Sequence, residues 1–299
     1  MKIKYTKPAL TFEQQLNQLV SRGMNVGNAE KALHILESVS YYRLSGYWFP
    51  LLDDKKKHTF KDGASFETSF KLYCFDRELR LLITSELEKI EVAIRAKMIY
   101  ILSHEYGCFW FLKTKLFRNP EKYEEFQIKK LKEEYERSDE EFINVFRENY
   151  LDELPPSWML MEIVSFGTLS KFYSNLNPGK HKRQIAHSFG LKDTIFQNWL
   201  HSIVYLRNIC AHHTRLWNRV LSIVPKTPET VRKTWINNKT ISTDRLYFSL
   251  CVIRFLLQTV NPQSRFTIKL KDLLAKYPNV DITAMGFPTD WESEDLWKV

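Results

Sequence analysis

The sequence predicts an all-α protein, and three observations lead there. Apolar residues recur at helical spacing over long stretches, alternation at period two is absent, and only nine glycines and eleven prolines interrupt 299 residues. Hydrophobic residues make up 44% of the chain, enough for a sizeable core and against general disorder.

The elements follow in order. Residues 11–22 open with a Thr-x-x-Gln capping pattern and carry Leu16, Leu19 and Val20, so they read as a helix. Residues 28–39 are a second. SYYRLSGYWFPLL, residues 40–52, is aromatic-dense and broken by Gly46 and Pro50; it reads as a buried junction, helical at its start. Residues 55–63 form a polar loop. Residues 75–106 are the longest periodic segment, with Leu79, Ile83, Leu87, Ile90, Ile94 and Ile101 on one side and Arg77, Glu88, Glu91 and Arg95 on the other. Glu91 and Arg95 stand four apart with the acid first, the favourable order for a helix pair.

Residues 120–150, centred on KKLKEEYERSDEE, read as an exposed helical pair or an insertion with few core contacts. The Pro155-Pro156-Ser157 run then starts a helix over 158–176, which Asn177-Pro178-Gly179 ends. KHKRQIAHSFG, residues 180–190, leads into a long helix over about 192–221, stopped by Pro225 and Pro228. An apolar helix covers 243–260. From Asn261 the mixture of Pro, Gly and polar residues predicts a loosely packed tail. The expected organisation is an N-terminal helical region (1–60), a helical core (65–260) with a charged insertion at about 113–152, and a tail (261–299).

Forty-four Lys and Arg against 35 Asp and Glu leave a net charge of +9. Such a field attracts polyanions without identifying them: nucleic acid first, an anionic membrane surface second, with an ordinary basic protein as the plain alternative. The first residues, MKIKYTKPALTFEQQ, contain no apolar run of a signal peptide. The longest apolar stretch, 246–260, carries Arg254 and is short for a bilayer span. Cys74, Cys108, Cys210 and Cys251 form no C-x-x-C pair and read as reduced thiols. The expectation is a cytoplasmic protein with no membrane partner.

The densest polar cluster is RNICAHH, residues 207–213, inside the predicted 192–221 helix. Placing residues about 100° apart puts Trp199, Ile203, Leu206, Cys210, His213, Trp217 and Val220 on one stripe facing the core. Asn208, His212, Arg215 and Arg219 fall on the opposite side, and Arg207 lies at the boundary with a stem long enough to bring its guanidinium round. His213 therefore reads as a structural histidine and His212 as the candidate for chemistry.

Arginine neutralises a phosphodiester with a planar fork of donors. Histidine moves protons near neutral pH, and asparagine can orient either group. Arg207, Asn208 and His212 thus offer the parts of a metal-independent ribonuclease in which the RNA 2′-hydroxyl attacks, leaving a 2′,3′-cyclic phosphate. Phosphate binding without chemistry and a merely solvated helix face remain open on spacing alone. A metal site at Cys210, His212 and His213 is disfavoured, because Cys210 and His212 point to opposite faces. One histidine rarely serves as both acid and base, and the chain has no second R-x4-H; two copies of the helix across a two-fold axis would supply both, so a homodimer is expected if the chain is a nuclease.

LRNICAHHTRLWNR, residues 206–219, resembles the R-x4-6-H signature of HEPN-domain ribonucleases, in the form carried by the abortive-infection proteins of the AbiD/AbiF (Abi-like) family. Four further blocks agree in order: KPALTFEQQLNQLVSRG (7–23), YYRLSGYWFPL (41–51), FDRELRLLITSELEKIEVAIRAKMIYILSHEYG (75–107) and PPSWMLMEIVSFGTLSKFYSNL (155–176). The resemblance covers roughly residues 5–260 and leaves 120–150 and the tail unmatched.

The resemblance implies a HEPN-type helical bundle with extra N-terminal helices and a charged helical insertion. It implies a metal-independent endoribonuclease without cofactor, dimeric, acting as a toxin in phage defence. Arg207 and His212 would be catalytic, with Asn208 orienting them. Arg215, Arg219, Lys180, Lys182 and Arg183 would hold the RNA backbone. Glu88, Glu91, Arg95 and Glu162 would support the site or face RNA, with ordinary ion pairs an equal reading. The RNA partner would be substrate and, as in some relatives, a small structured antitoxin RNA. The alternative is a non-catalytic RNA-binding scaffold that captures such a small RNA.

Overall fold

The computed structural model describes residues 4–298; Met1–Ile3 and Val299, the outer ends of the expected 1–60 and 261–299 regions, lie outside the described residues. The described residues are all-α apart from one two-stranded hairpin, and the chain divides into two units. The first holds the residues up to Leu79 and the segment Leu273–Val280; the second holds Arg80–Asp272 and the chain from Asp281 onward.

In the first unit, α1 (Phe12–Ser21) starts where the capping pattern places it: the Thr11 hydroxyl accepts from the Gln14 N–H at 3.2 Å and the Gln14 side chain returns the bond at 2.9 Å. Asn28 caps α2 (Ala29–Val39) through the Lys31 N–H at 2.8 Å. With α3 (Tyr41–Trp48) these helices close a core around Leu19, Leu36, Leu44 and Trp48. The aromatic junction is not buried throughout, since Tyr42 stands in solvent at 89% exposure. The polar loop is the turn of a hairpin joining β1 (Leu52–Asp54) to β2 (Thr59–Phe60). Strands this short carry no period-two signal. The segment 273–280 joins this unit through Glu78, whose carboxylate accepts from Lys276 Nζ and from the Tyr277 hydroxyl, each at 2.8 Å.

Helix α4 (Phe66–Tyr106) supplies residues to both units. It begins ahead of the predicted Phe75 because Ser65 caps it, accepting from the Thr68 N–H at 3.1 Å. Gly107, at φ +82°, ends it and donates its N–H to the Ser103 carbonyl.

In the second unit the α4 residues Ile83, Leu87, Ile90, Ile94 and Met98 are fully buried. The charged insertion is a single turn, α5 (Pro120–Lys122), which passes through a π turn at Tyr123–Ile128 into α6 (Lys129–Glu136) and is followed by α7 (Glu141–Asn149). Leu131, Ile143 and Phe146 anchor this pair, and most of its charges face solvent; Glu134 instead turns inward, where its Oε1 accepts from the Thr168 hydroxyl at 3.2 Å. The predicted 158–176 helix is two, α8 (Ser157–Ile163) and α9 (Phe166–Asn175). They break at Val164–Ser165, where the Ser165 hydroxyl accepts from the Thr168 N–H at 3.2 Å. A serine side chain gives the backbone an alternative to continuing the helix. Then come α10 (Lys180–Ser188), α11 (Asp193–Ala211), the largely buried α12 (Leu246–Val260) and α13 (Phe266–Lys276), whose last residues from Leu273 belong to the first unit. Among the described residues no helix is long and apolar enough to cross a membrane.

The tail is not loosely packed. Met285, Phe287, Trp291, Leu296 and Trp297 are buried, and Trp297 Nε1 donates to the Tyr247 hydroxyl on α12 at 3.0 Å. Its first part is the helix α13, and beyond it the Pro and Gly shape turns that bring large aromatic rings inward. Trp297→Ala is therefore expected to destabilise the protein by about 3–5 kcal/mol. Denaturant unfolding of the variant checks this; a wild-type midpoint and slope would mean the tail is peripheral.

Candidate functional site

The polar cluster at the end of α11 is built on three elements of the second unit. Arg207 and Asn208 lie on the last two turns of α11, Glu91 and Arg95 on α4, and Phe166 at the start of α9. Arg95 is 6% exposed and spends its guanidinium inward. One arm donates to the carbonyls of Met161 and Val164, at the unpaired C-terminal end of α8; the other donates to Glu91 Oε1 at 2.8 Å. The second oxygen of Glu91 faces Arg207 Nη2 at 3.6 Å. Glu91 thus stands between two guanidinium groups, one buried and one with 29% of its side chain still open to solvent.

Two more contacts orient Arg207. Its guanidinium carbon lies 5.9 Å from the centre of the Phe166 ring, and its Nη1 donates to Asn208 Oδ1 at 3.2 Å. Phe166 was not singled out by sequence reasoning. The signal was the Ser165 cap immediately before it, which fixes where α9 begins. The sum of Arg95, Glu91 and Arg207 is one net positive charge, and the Arg207 end of it is accessible to an anion.

His212 sits where α11 ends. The helix stops at Ala211, not near residue 221, and His212 is its C-cap. The His213 N–H bonds the Cys210 carbonyl and the Thr214 N–H bonds the Ile209 carbonyl, both at 3.0 Å. This reciprocal pair is a Schellman motif, which needs a left-handed residue at its hinge. That residue is His213, at φ +54°. The expected helical wheel therefore fails beyond Ala211. His213 is exposed, not a core histidine, and Val220 is 56% exposed. Trp217 is buried as expected, but from the loop, where its Nε1 donates to the Asp281 carbonyl at 2.9 Å. His212 keeps its exposure and its place one turn beyond Asn208, whose carbonyl accepts the His212 N–H at 3.0 Å.

The groups proposed for the RNA backbone separate. Lys180 and Arg183 are exposed on α10. Lys182 is withdrawn: it is 3% exposed, and its ammonium donates to the carbonyls of Ser174 and Leu176 and to Gln197 Oε1, at 3.0–3.1 Å. The 3.6-residue period turns position 182 inward between two outward positions. Burial, and then the charge of Arg118, push the Lys182 pKa down to about 8, with Asp193 opposing them. Arg215 and Arg219 lie in the loop after the helix and not on its face. Arg219 turns towards Tyr205: burial alone would raise that phenol, but hydrogen bonds from Ser222 and Arg219 hold it below the ordinary tyrosine value. Glu88 is exposed on α4. Glu162 is exposed at the end of α8, lining an open groove with Asp139 and Glu140. Glu91 and Arg95 are the two of these four that the fold joins to Arg207. Among the described residues, no group of three or more His, Cys, Asp or Glu is placed to hold a metal ion.

A model of the family described as Abi-like protein matches residues 34–218, a span that contains α3–α11 and the whole Arg207–His212 cluster. The chain belongs to the Abi-like family. That family connects this Abi-like chain with abortive infection, the bacterial defence against phage. No curated protein and no solved structure matches it.

Two expectations follow from this geometry in the Abi-like chain. At the left-handed position 213 a β-branched residue costs more than glycine by about 1–2 kcal/mol. His213→Gly should therefore unfold at higher denaturant than His213→Val, both variants lacking the imidazole. Equal midpoints would contradict the hinge. Because the folded state holds Lys182 at about 8 and the unfolded chain holds it near 10.5, the unfolded chain binds more protons between those values. The contribution of Lys182 to stability rises with pH across that window. Unfolding free energies should shift in favour of the wild type over Lys182→Met as pH increases from about 8 to about 10; a constant difference would argue against it.

Proposed function

We propose that this protein is a metal-independent endoribonuclease that acts as a toxin in abortive infection. The observation that carries the reading is Arg207: an arginine fixed from behind by Glu91 and Phe166, open in front, beside Asn208 and one helical turn before an exposed His212. Preset donors aimed at an anion need no reorganisation when charge develops on it.

In this reading Arg207 binds the non-bridging oxygens of the scissile phosphate and stabilises the pentavalent state. A His212 imidazole takes the proton of the 2′-hydroxyl, and the 2′-oxygen attacks phosphorus. The 5′-oxygen leaves with a proton from a second imidazole, giving a 2′,3′-cyclic phosphate and a 5′-hydroxyl. DNA lacks the attacking group, so RNA is the substrate. His213, beside His212, is the left-handed hinge of the turn, so in this reading base and acid come from His212 of two copies meeting in a homodimer. Lys180 and Arg183, exposed on α10, supply electrostatic attraction for the strand.

Arg207→Ala and His212→Ala should each lower RNA cleavage at least about 100-fold and abolish toxicity, with unchanged circular dichroism. Glu91→Gln, which leaves Arg207 in place but loosens it, should lose about tenfold, within the range of misplacing a catalytic group. Gel assays on purified protein check these. Full cleavage by both alanine variants would sink the catalytic assignment, and RNA binding without cleavage by the wild type would favour a scaffold that captures a small structured RNA. Because a mixed dimer carries only one His212, adding His212→Ala chains to wild type should lower activity more steeply than the wild-type fraction falls; full-rate cleavage by a monomer would contradict the composite site.

A further inference from the structure

The charged insertion contains a cleft that the proposed cleavage does not use. Its two walls are the turn from Asn119 through the π turn Tyr123–Ile128, and the C-terminal half of α9. The walls are tied together: the Arg118 N–H bonds the Asn175 carbonyl at 2.8 Å, and the Asn177 N–H bonds the Leu116 carbonyl at 2.9 Å. The floor is rigid, since the Tyr123 ring lies on Phe117 at 3.6 Å between centres and 8° between planes. Its hydroxyl donates to the Phe111 carbonyl at 2.8 Å. The cleft measures about 400 Å³, within the range of small-molecule sites.

The lining is of three chemical kinds. Phe126 is 58% exposed, so its ring is open to contact from within the cleft. Lys122 and Lys171, both exposed, stand on opposite walls, and no carboxylate lines the cleft although Glu121, Glu124 and Glu125 share the turn. The side-chain amides of Asn119, Asn175 and Gln127 complete it. Gln127 is 8% exposed and its Oε1 has no hydrogen-bond partner. A buried acceptor left unmet is costly, and the terminal torsion of glutamine is soft enough to turn towards a donor. π turns are rare and are frequently found at functional sites.

We propose that this cleft is a nucleotide-binding site, with the base stacked on Phe126, its edge read by the amides of Gln127 and its neighbours, and the phosphate held between Lys122 and Lys171. A flat apolar face, an anion clamp and side-chain amides within one small cleft match a nucleotide better than a plain anion or an apolar ligand; adenine, with an exocyclic amine and an adjacent acceptor, suits an amide best. The nucleotide is either free or one unpaired residue of an RNA strand. The inference does not depend on the nuclease reading, because none of these residues belongs to the Arg207–His212 cluster.

The test is calorimetric titration of the full-length protein with AMP, and separately with a ten-nucleotide 2′-O-methyl RNA that cannot be cleaved by 2′-hydroxyl attack. Phe126→Ala and the pair Lys122→Ala/Lys171→Ala are compared with wild type; all three positions are exposed, so folding is unaffected. Each variant should weaken AMP binding about tenfold or more if the ligand is a free nucleotide, from loss of stacking or of the clamp. If AMP does not bind but the oligonucleotide loses that factor in both variants, the cleft holds an RNA residue. Unchanged affinity of both probes in both variants overturns the proposal, and RNA cleavage by these variants at the wild-type rate would show that its failure leaves the nuclease reading standing.

Discussion

The buried guanidinium of Arg95 is the contact on which the arrangement in the second unit depends. A charge taken out of water must be repaid by hydrogen bonds on all sides. Arg95 finds them in the last carbonyls of α8 and in Glu91, so one side chain closes a helix end, fixes the turn into α9 and sets the carboxylate that faces Arg207. Remove it and three acceptors lose their donor together. The turn it fixes is the one that places Phe166 beneath Arg207. The site is therefore a consequence of how a helix terminus was satisfied, and its precision comes from a group that need not touch substrate.

The end of α11 shows a second constraint of the same kind. A helix must dispose of its last carbonyls, and here it does so by a Schellman turn whose left-handed residue is a histidine and not a glycine. Backbone held in a disfavoured region persists where the surroundings over-determine it, and such positions cluster at functional sites. The turn has a direct consequence: it puts His212 at the exposed tip of the helix and sends the following arginines into a loop stitched back onto the unit, through Arg219 towards Tyr205 and through Trp217 to the Asp281 carbonyl.

Much of the fold was legible because it follows from short-range rules. The Thr11 and Asn28 caps, the apolar line of α4 and the apolar length of α12 each state their structure in a few residues. What misled was continuity. Residues 158–176 and 192–221 keep helical spacing across a break, since Ser165 and His212–His213 interrupt the backbone without interrupting the hydrophobic pattern. The tail misled in the opposite sense: the short helical period of Phe266, Leu270 and Leu273 is easily missed among Pro, Gly and polar residues, and beyond it Trp291 and Trp297 fill core space that no local pattern reveals. At the site, Arg207, Asn208 and His212 were recognisable as a cluster, and Glu91–Arg95 as a pair. Nothing local distinguished Lys182 from Lys180 and Arg183, because which lysine of three faces inward depends on what packs against α10.

By itself the sequence determined the helical class, most of the helix starts and the one cluster rich in phosphate and proton chemistry, because caps, periods and residue types are local properties. Only the tertiary structure decided that Glu91 bridges two arginines, that Lys182 is spent on carbonyls, that His213 is a hinge and that a π turn opens a cleft beside Phe126. Each of these depends on which distant backbone groups need partners, and that is settled when the elements pack.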